Sequence, residues 1–335
     1  MVQKRKANPF KQFRQDILRY KSIVLATHTV PDADSLFCLS ALEAICKELN
    51  PEITVYPVAE SSRAGLDCKT ILQKYGLKYL EPNADIPENP DAVFLVDTQL
   101  TRRAVLPISL HSTNANESQK DDLDGRLELE GIEVHVRDHH RSQESDSLVD
   151  RADFKTYFID DEKFHSCAAL LLHEFADTKF VRENLAQNEG LCTLGHQAIR
   201  IDSPGFRNLT DADTNALKIF GGGKLNHEVI HGVNNLPLSD VEGNLLAVML
   251  KSSSRMQLEG FATYCHLGIV DPDREKEYIL PTVTDEMLRM ASTNGIAVAS
   301  AVYKGVNGSE SELACSFRLN GTASNLNAAN IARLF

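Results

Sequence analysis

The sequence has no excess of positive charge: 35 lysines and arginines stand against 47 aspartates and glutamates, a formal net charge of −12. That balance argues against nonspecific binding along a nucleic-acid backbone, which needs a concentrated positive surface. An anionic substrate would need local positive charge or a metal. No run approaches the ~18 apolar residues of a membrane helix, and no internal repeat recurs. The seven cysteines (Cys38, Cys46, Cys68, Cys167, Cys192, Cys265, Cys315) form no C-x-x-C pair. Odd in number and widely spread, they read as reduced, mostly buried thiols. The basic Met1 to Phe10 leads into the mixed polar Lys11 to Tyr20 instead of the apolar core of a secretory signal. A cytoplasmic, soluble protein is expected.

What is present is ordinary globular material. Of 335 residues, 42% are hydrophobic and 24% charged, which rules out disorder as the main state and suggests two domains. Apolar, β-branched runs recur at Ile23 to His28, Ile53 to Tyr56, Ala92 to Asp97 and Ile132 to Val136, each read as a buried strand. Between the first two, Ser35 to Leu49 carries Leu36, Leu39, Leu42 and Ile45 at helical spacing, closed by Pro51. Strand, helix, strand implies a parallel sheet and an α/β fold.

The acid-rich His111 to Gly131 reads as an exposed insertion. Phe164 to Phe175 and Leu185 to Ile201 look helical, the latter ending in the turn Ile201 to Gly205. The glycine cluster Gly221 to Gly223 and the polar residues after it suggest a linker at 221–235. Residues 1–220 would then form the larger domain and residues 236–335 a smaller α/β domain. Phe261 to Val270, Gly295 to Tyr303 and Leu313 to Leu319 would be its strands, and Thr284 to Ala291 a helix.

Ligands of such sheets sit outside the carboxyl ends of the strands, where this sequence places His28, Asp97 and the group Asp138-His139-His140. The turn after the first strand, His28-Thr29-Val30-Pro31-Asp32-Ala33-Asp34, adds two carboxylates. Taken alone, Asp32 and Asp34 could simply cap a helix. Burying this many ionisable groups at neighbouring strand ends, however, costs too much without a metal or mutual pairing.

Together, H-x-x-P-D-x-D at His28 to Asp34, V-D-T at Val96 to Thr98, D-H-H at Asp138 to His140 and I-x-x-D-S at Ile199 to Ser203 resemble the DHH phosphoesterase superfamily. The second half resembles the DHH-associated domain in Ser316-Phe317-Arg318 and in Asn327 to Phe335. The pairing is most similar to the bifunctional oligoribonuclease and 3′-phosphoadenosine 5′-phosphate phosphatase group. The resemblance implies an active site in the cleft between the two domains. It implies one divalent ion on His28, Asp32 and Asp97 and a second on Asp34, Asp97, His139 and Asp202, with Mn²⁺ suiting the mixed oxygen and imidazole set. A hydroxide bridging the two ions would attack phosphorus.

By the same resemblance, His140 would contact a phosphate oxygen or protonate the leaving group. Asp138 would orient a histidine, or else salt-bridge Arg137 or another base. Arg318 would anchor substrate phosphate, the alternative being an ordinary surface arginine. The expected activity is Mn²⁺-dependent hydrolysis of oligoribonucleotides, linear dinucleotides or adenosine 3′,5′-bisphosphate. Cyclic-dinucleotide hydrolysis is the alternative, followed by a RecJ-like single-strand exonuclease or a non-catalytic nucleotide-binding relative. Expected partners are a short RNA or nucleotide substrate, with no long duplex and no membrane, and homodimer formation stays open.

Two departures from the family pattern stand out. Ser35-Leu36 replaces a small residue and glycine, and Ser203 replaces a common threonine. Relatives continue past the segment matching Asn327 to Phe335 into a glycine-rich stretch that lines the pocket. The sequence stops at Phe335 without it; either this sequence omits such a tail or the protein does without that part of the pocket, and the expectation is the former, with Phe335 near the mouth of the cleft.

Overall fold

The structure, a computed structural model, describes residues 9–87, 89–98, 104–107, 110, 132–140, 154–159, 163–203, 206 and 209–236. In the last hundred residues it describes 247, 254–256, 262–270, 280, 284, 296–303 and 312–319. The insertion expected at 111–131, the helix expected over Thr284 to Ala291 apart from Thr284, and the end of the chain at Phe335 lie outside the described residues.

The chain divides into two units, Met1–Asn235 and Leu236–Phe335. The first is built on a five-stranded sheet of β1 (Ser22–Ala26), β2 (Thr54–Val58), β3 (Ala92–Val96), β4 (Glu133–Asp138) and β5 (Phe154–Ile159), in the order β2-β1-β3-β4-β5. Every pairing is parallel. The chain steps from β1 outward to β2 and then returns to place β3 on the other side of β1. Strand order therefore reverses between β1 and β3, the crevice where open α/β sheets receive ligands.

Alternation along the strands sorts the two faces. Val24, Ala26, Val93, Leu95, Val134 and Val136 share a core with Ile86, Val105 and Leu106. On the other face, α1 (Pro9–Ile17), α2 (Ala33–Leu49) and α4 (Cys167–Glu174) contribute buried Phe13, Phe37 and Phe175 alongside α5 (Glu189–Asp202) and α6 (Asp211–Gly221). Helix α2 forms where its apolar spacing puts it. Asp32 and Ser35 close a reciprocal capping box at its start, and Leu36, Leu39, Leu42 and Ile45 are fully buried. At about 1.5–3 kcal/mol each, those four side chains alone contribute on the order of 6–12 kcal/mol before entropy is counted. Gly195 on α5 lets the helices approach: a Cβ there would stand 2.4 Å from the Phe220 ring and 2.9 Å from that of Phe37.

The stretch 221–235, expected as a linker, belongs to the first unit. It contains α7 (His227–Asn234), which follows α3 (Leu66–Tyr75) in chain order and packs on both α3 and α5 through buried Val229, Ile230 and Val233. Gly223 serves close packing, since a Cβ there would meet Ala186 backbone at 2.8 Å.

The second unit holds a four-stranded sheet ordered β6 (Ser254–Met256), β7 (Ala262–Val270), β8 (Ile296–Tyr303), β9 (Glu312–Leu319). Only the β7–β8 pairing is parallel. Among the described residues six cysteines are free thiols: Cys38, Cys46, Cys68, Cys167 and Cys192 are buried, and Cys315 is exposed. Among the described residues no helix is long and apolar enough to cross a membrane.

Candidate metal centre

The switch point gathers chemistry. His28 follows β1, Asp97 follows β3, and Asp138, His139 and His140 end β4, so three adjacent strands deliver ionisable side chains to one edge of the sheet. Asp97 sits there in the left-handed region, φ 55°. That conformation is tolerated by aspartate better than by most residues and is commonly found where structure is stored for function. Its amide donates to Arg137 O at 2.9 Å, which holds the turn against β4.

Among the described residues three overlapping groups of donors result here, each with ligand atoms within 4.8 Å of one another: His28, Asp32 and Asp97; Asp34, His139 and Asp202; and Asp97, His139 and His140. In the first, His28 Nε2 lies 3.5 Å from Asp97 Oδ2 and 3.9 Å from Asp32 Oδ1. In the second, His139 Nε2 lies 3.8 Å from Asp34 Oδ2 and 3.9 Å from Asp202 Oδ2. Asp97 joins them, its Oδ1 3.3 Å from His139 Nε2.

Each carboxylate is placed by the element that carries it. Asp32 does both things its sequence position allowed: it caps α2, accepting from Ser35 N at 3.0 Å, and it faces His28. Asp34, fully buried, accepts from the first two amides of α4, Cys167 N at 2.6 Å and Ala168 N at 2.8 Å. A helix amino end holds that carboxylate in place. Asp202 is the last residue of α5, and Ser203 is its C-cap.

The electrostatics of the cluster ask for cations. Burial and the charge of Asp97 push the Asp34 carboxyl well above the usual carboxylate range. Burial and the neighbouring Asp34, Asp32 and Asp97 do the same to Asp202. Asp97 alone is held low, because His139 and His28 outweigh its burial. Three buried atoms that face one another, Asp97 Oδ1, His139 Nε2 and Asp202 Oδ2, make no hydrogen bond. Bare acceptors at this depth are costly, and two imidazoles with four carboxylates form a donor set suited to first-row divalent ions. The residues could hold divalent metal ions.

His140 belongs to the third group, its Nδ1 3.7 Å from Asp97 Oδ1 and its ring centroid 4.2 Å from that of His139. Its side chain is largely exposed, and its Nδ1 lies 2.7 Å from Asp138 Oδ1, which also accepts from its backbone amide at 3.1 Å. Such desolvation as the ring meets works against charge, but the hydrogen bond to Asp138 and the charge of Asp97 raise its pKa to about 10. Asp138 Oδ1 is thus shared by the ring and the amide of His140. Arg318 lies on β9 in register with Ala297 of β8, in the second unit.

Sequence reasoning missed two supports. The α4 amides on Asp34 carry no side-chain signature. Arg137, beneath the centre, is 1% exposed. It forks onto Glu174 of α4 through Nε at 2.7 Å and Nη2 at 3.0 Å. A charged residue inside an apolar strand was the available signal.

Solved structures share this fold. One, an exopolyphosphatase-related protein from Bacteroides fragilis, superposes with a TM-score of 0.61 at 10% identity, over 96% of this chain and 86% of that one. No protein-family model matches the sequence, and no curated protein sequence matches it.

Proposed function

We propose that this protein is a divalent-metal-dependent phosphoesterase of the DHH kind, acting on short nucleotides. The observation carrying the proposal is the pair of donor groups joined by Asp97, with three buried, bare donor atoms at its centre. His28, Asp32 and Asp97 would hold one ion, and Asp34, Asp97, His139 and Asp202 the other, Mn²⁺ being the metal proposed. When bound, such ions supply Lewis acidity and a water acidic enough to lose its proton near neutral pH.

The chain's own residues do the rest. His140, its Nδ1 tied to Asp138, presents its remaining ring nitrogen to a phosphoryl oxygen or a leaving group. Asp34, locked on the α4 amides, cannot swing away as charge builds. The left-handed Asp97 keeps one oxygen toward each group. Arg318 is proposed as the anchor for a second phosphate, which favours a dinucleotide or a 3′,5′-bisphosphate. A net charge of −12 favours a small substrate over a long strand. Inorganic polyphosphate is a second reading, favoured by the exopolyphosphatase-related protein of B. fragilis that shares the fold.

Turnover by the full chain with Mn²⁺ is to be measured on diadenylate, adenosine 3′,5′-bisphosphate, cyclic di-AMP, pyrophosphate and polyphosphate, beside Asp97→Asn. Hydrolysis of diadenylate or the bisphosphate that chelator and Asp97→Asn both abolish is expected. Preference for polyphosphate would select the second reading. No turnover of any substrate, or near wild-type rates in Asp97→Asn, would overturn the reading.

A further inference from the structure

The opposite end of the same sheet carries a second group of metal-ligating side chains. Asp16 on α1 and Glu133 and His135 at the amino end of β4 bring one ligand atom each within 4.8 Å of one another. Because the sheet is parallel, this group lies at the other end of the strands from the centre built on Asp97, and it shares no residue with it.

Two of the three are deeply buried, the Glu133 side chain being 32% exposed, and the group is only partly satisfied. Asp16 is 3% exposed and His135 1%. Both donors that reach Asp16, Gln12 Nε2 at 2.9 Å and Arg19 Nε at 3.1 Å, sit on Oδ1. Its Oδ2 is buried with no hydrogen-bond partner, an acceptor left bare beside an imidazole and a second carboxylate. The Tyr20 hydroxyl joins the other two, 2.5 Å from Glu133 Oε2 and 2.7 Å from His135 Nε2. Phe13 and Phe94 flank the imidazole, ring centroids 5.1 and 4.6 Å away. An aromatic shell of this kind fixes a ligating ring and keeps water out.

We propose that Asp16, Glu133 and His135 form a second divalent-cation site that takes Zn²⁺. One imidazole and two carboxylates is a zinc donor set, with a fourth position left for water. The hard ions Mg²⁺ and Ca²⁺ prefer all-oxygen surroundings. Arg19 is the stand-in cation: its guanidinium pairs with both Asp16 and Glu133 while its side chain stays 47% exposed. A bound ion would replace that charge and release Arg19 to solvent. The ion would then tie α1 directly to β4, fastening the amino-terminal helix onto the sheet.

The role assigned to Arg19 makes the proposal testable without disturbing the core. Zn²⁺ binding to the full chain is measured by equilibrium dialysis in saturating Mn²⁺, for wild type, Asp16→Asn and Arg19→Ala. Wild type should bind one more Zn²⁺ than Asp16→Asn. Arg19→Ala should hold that ion more tightly, on the order of tenfold or more, because a like charge at contact distance has been removed. Unchanged or weaker Zn²⁺ affinity in Arg19→Ala would overturn the proposal, as would equal stoichiometry in Asp16→Asn and wild type. Should Asp16→Asn fail to fold, the Arg19→Ala result decides alone, with anomalous scattering at the zinc edge showing whether an ion lies between Asp16, Glu133 and His135. Since neither variant touches the Asp97 centre, phosphoesterase activity can fail its own test without affecting this one.

Discussion

Breaking the ion pair beneath the metal centre from one side should cost far more than replacing it whole. Arg137 and Glu174 are both buried. Their two contacts are 2.7 and 3.0 Å, Arg137 Nη1 donates to Val136 O at 2.8 Å, and its guanidinium carbon lies 4.0 Å from the centroid of Phe13. Glu174→Gln preserves the shape but strands a guanidinium charge in the core, a loss of about 3–5 kcal/mol. Arg137→Met strands the carboxylate instead and gives up the cation–π contact, itself worth about 0.5–2 kcal/mol. The double change Arg137→Met with Glu174→Leu removes both charges and fills the space with apolar atoms. Buried pairs replaced in this way end up neutral to about 1–4 kcal/mol more stable.

Burial has already pushed the Glu174 carboxyl above its usual value, with Arg137 only partly restoring it. A carboxylate raised on folding gives its stabilisation below the unfolded value and loses it as pH rises through the folded one. Wild type should therefore lose stability relative to the double variant as pH climbs from about 4 toward neutrality. Urea denaturation of all four proteins, in chelator and in Mn²⁺, measures the cycle. Because Arg137 O accepts the Asp97 amide, the single variants should also bind Mn²⁺ more weakly, and the double variant should not. Single losses under about 1 kcal/mol, or a double variant that loses the sum of the two, would refute the argument.

Three further outcomes are expected. Asp202→Asn should raise the melting temperature of the chelator-treated protein while weakening Mn²⁺ binding, since burial and three carboxylate neighbours disfavour its charge when no cation is present; a lowered melting temperature would contradict the repulsion argument. Mn²⁺ at 100 times its Kd should stabilise the full chain by about 2.7 kcal/mol over chelator, and identical denaturation curves would mean the donors bind no ion. Arg318→Ala should weaken a phosphorylated dinucleotide on the order of tenfold more than a chromogenic phosphodiester, from a charge-assisted contact of ~1.5–3 kcal/mol; equal losses would remove Arg318 from the phosphate pocket.

What could be read in the sequence followed from burial on both faces of a parallel sheet. Strands β1, β3 and β4 announce themselves as apolar runs, so the polar residue ending each run was conspicuous, and His28, Asp97 and the Asp138 group were found that way. β5 escaped because Phe154–Ile159, last in the strand order, mixes Lys155 and Thr156 with aromatics, so it lacks the continuous apolar run that marks the other strands. α7 escaped for a different reason. Gly221 to Gly223 reads as chain flexibility in one dimension, yet Gly223 is glycine because Ala186 backbone and Cys192 Sγ fill the space a Cβ would take. No local pattern encodes contact with a residue 37 positions earlier. The same limit separates the metal ligands from their supports. A ligand must sit at a strand end or helix cap, which sequence marks, whereas Arg137 meets Glu174 and Asp34 meets the α4 amides only after the helices have packed. Those supports, set by tertiary structure alone, give the ligands their fixed geometry, and their substitution is what separates a centre held by the fold from one held by the metal.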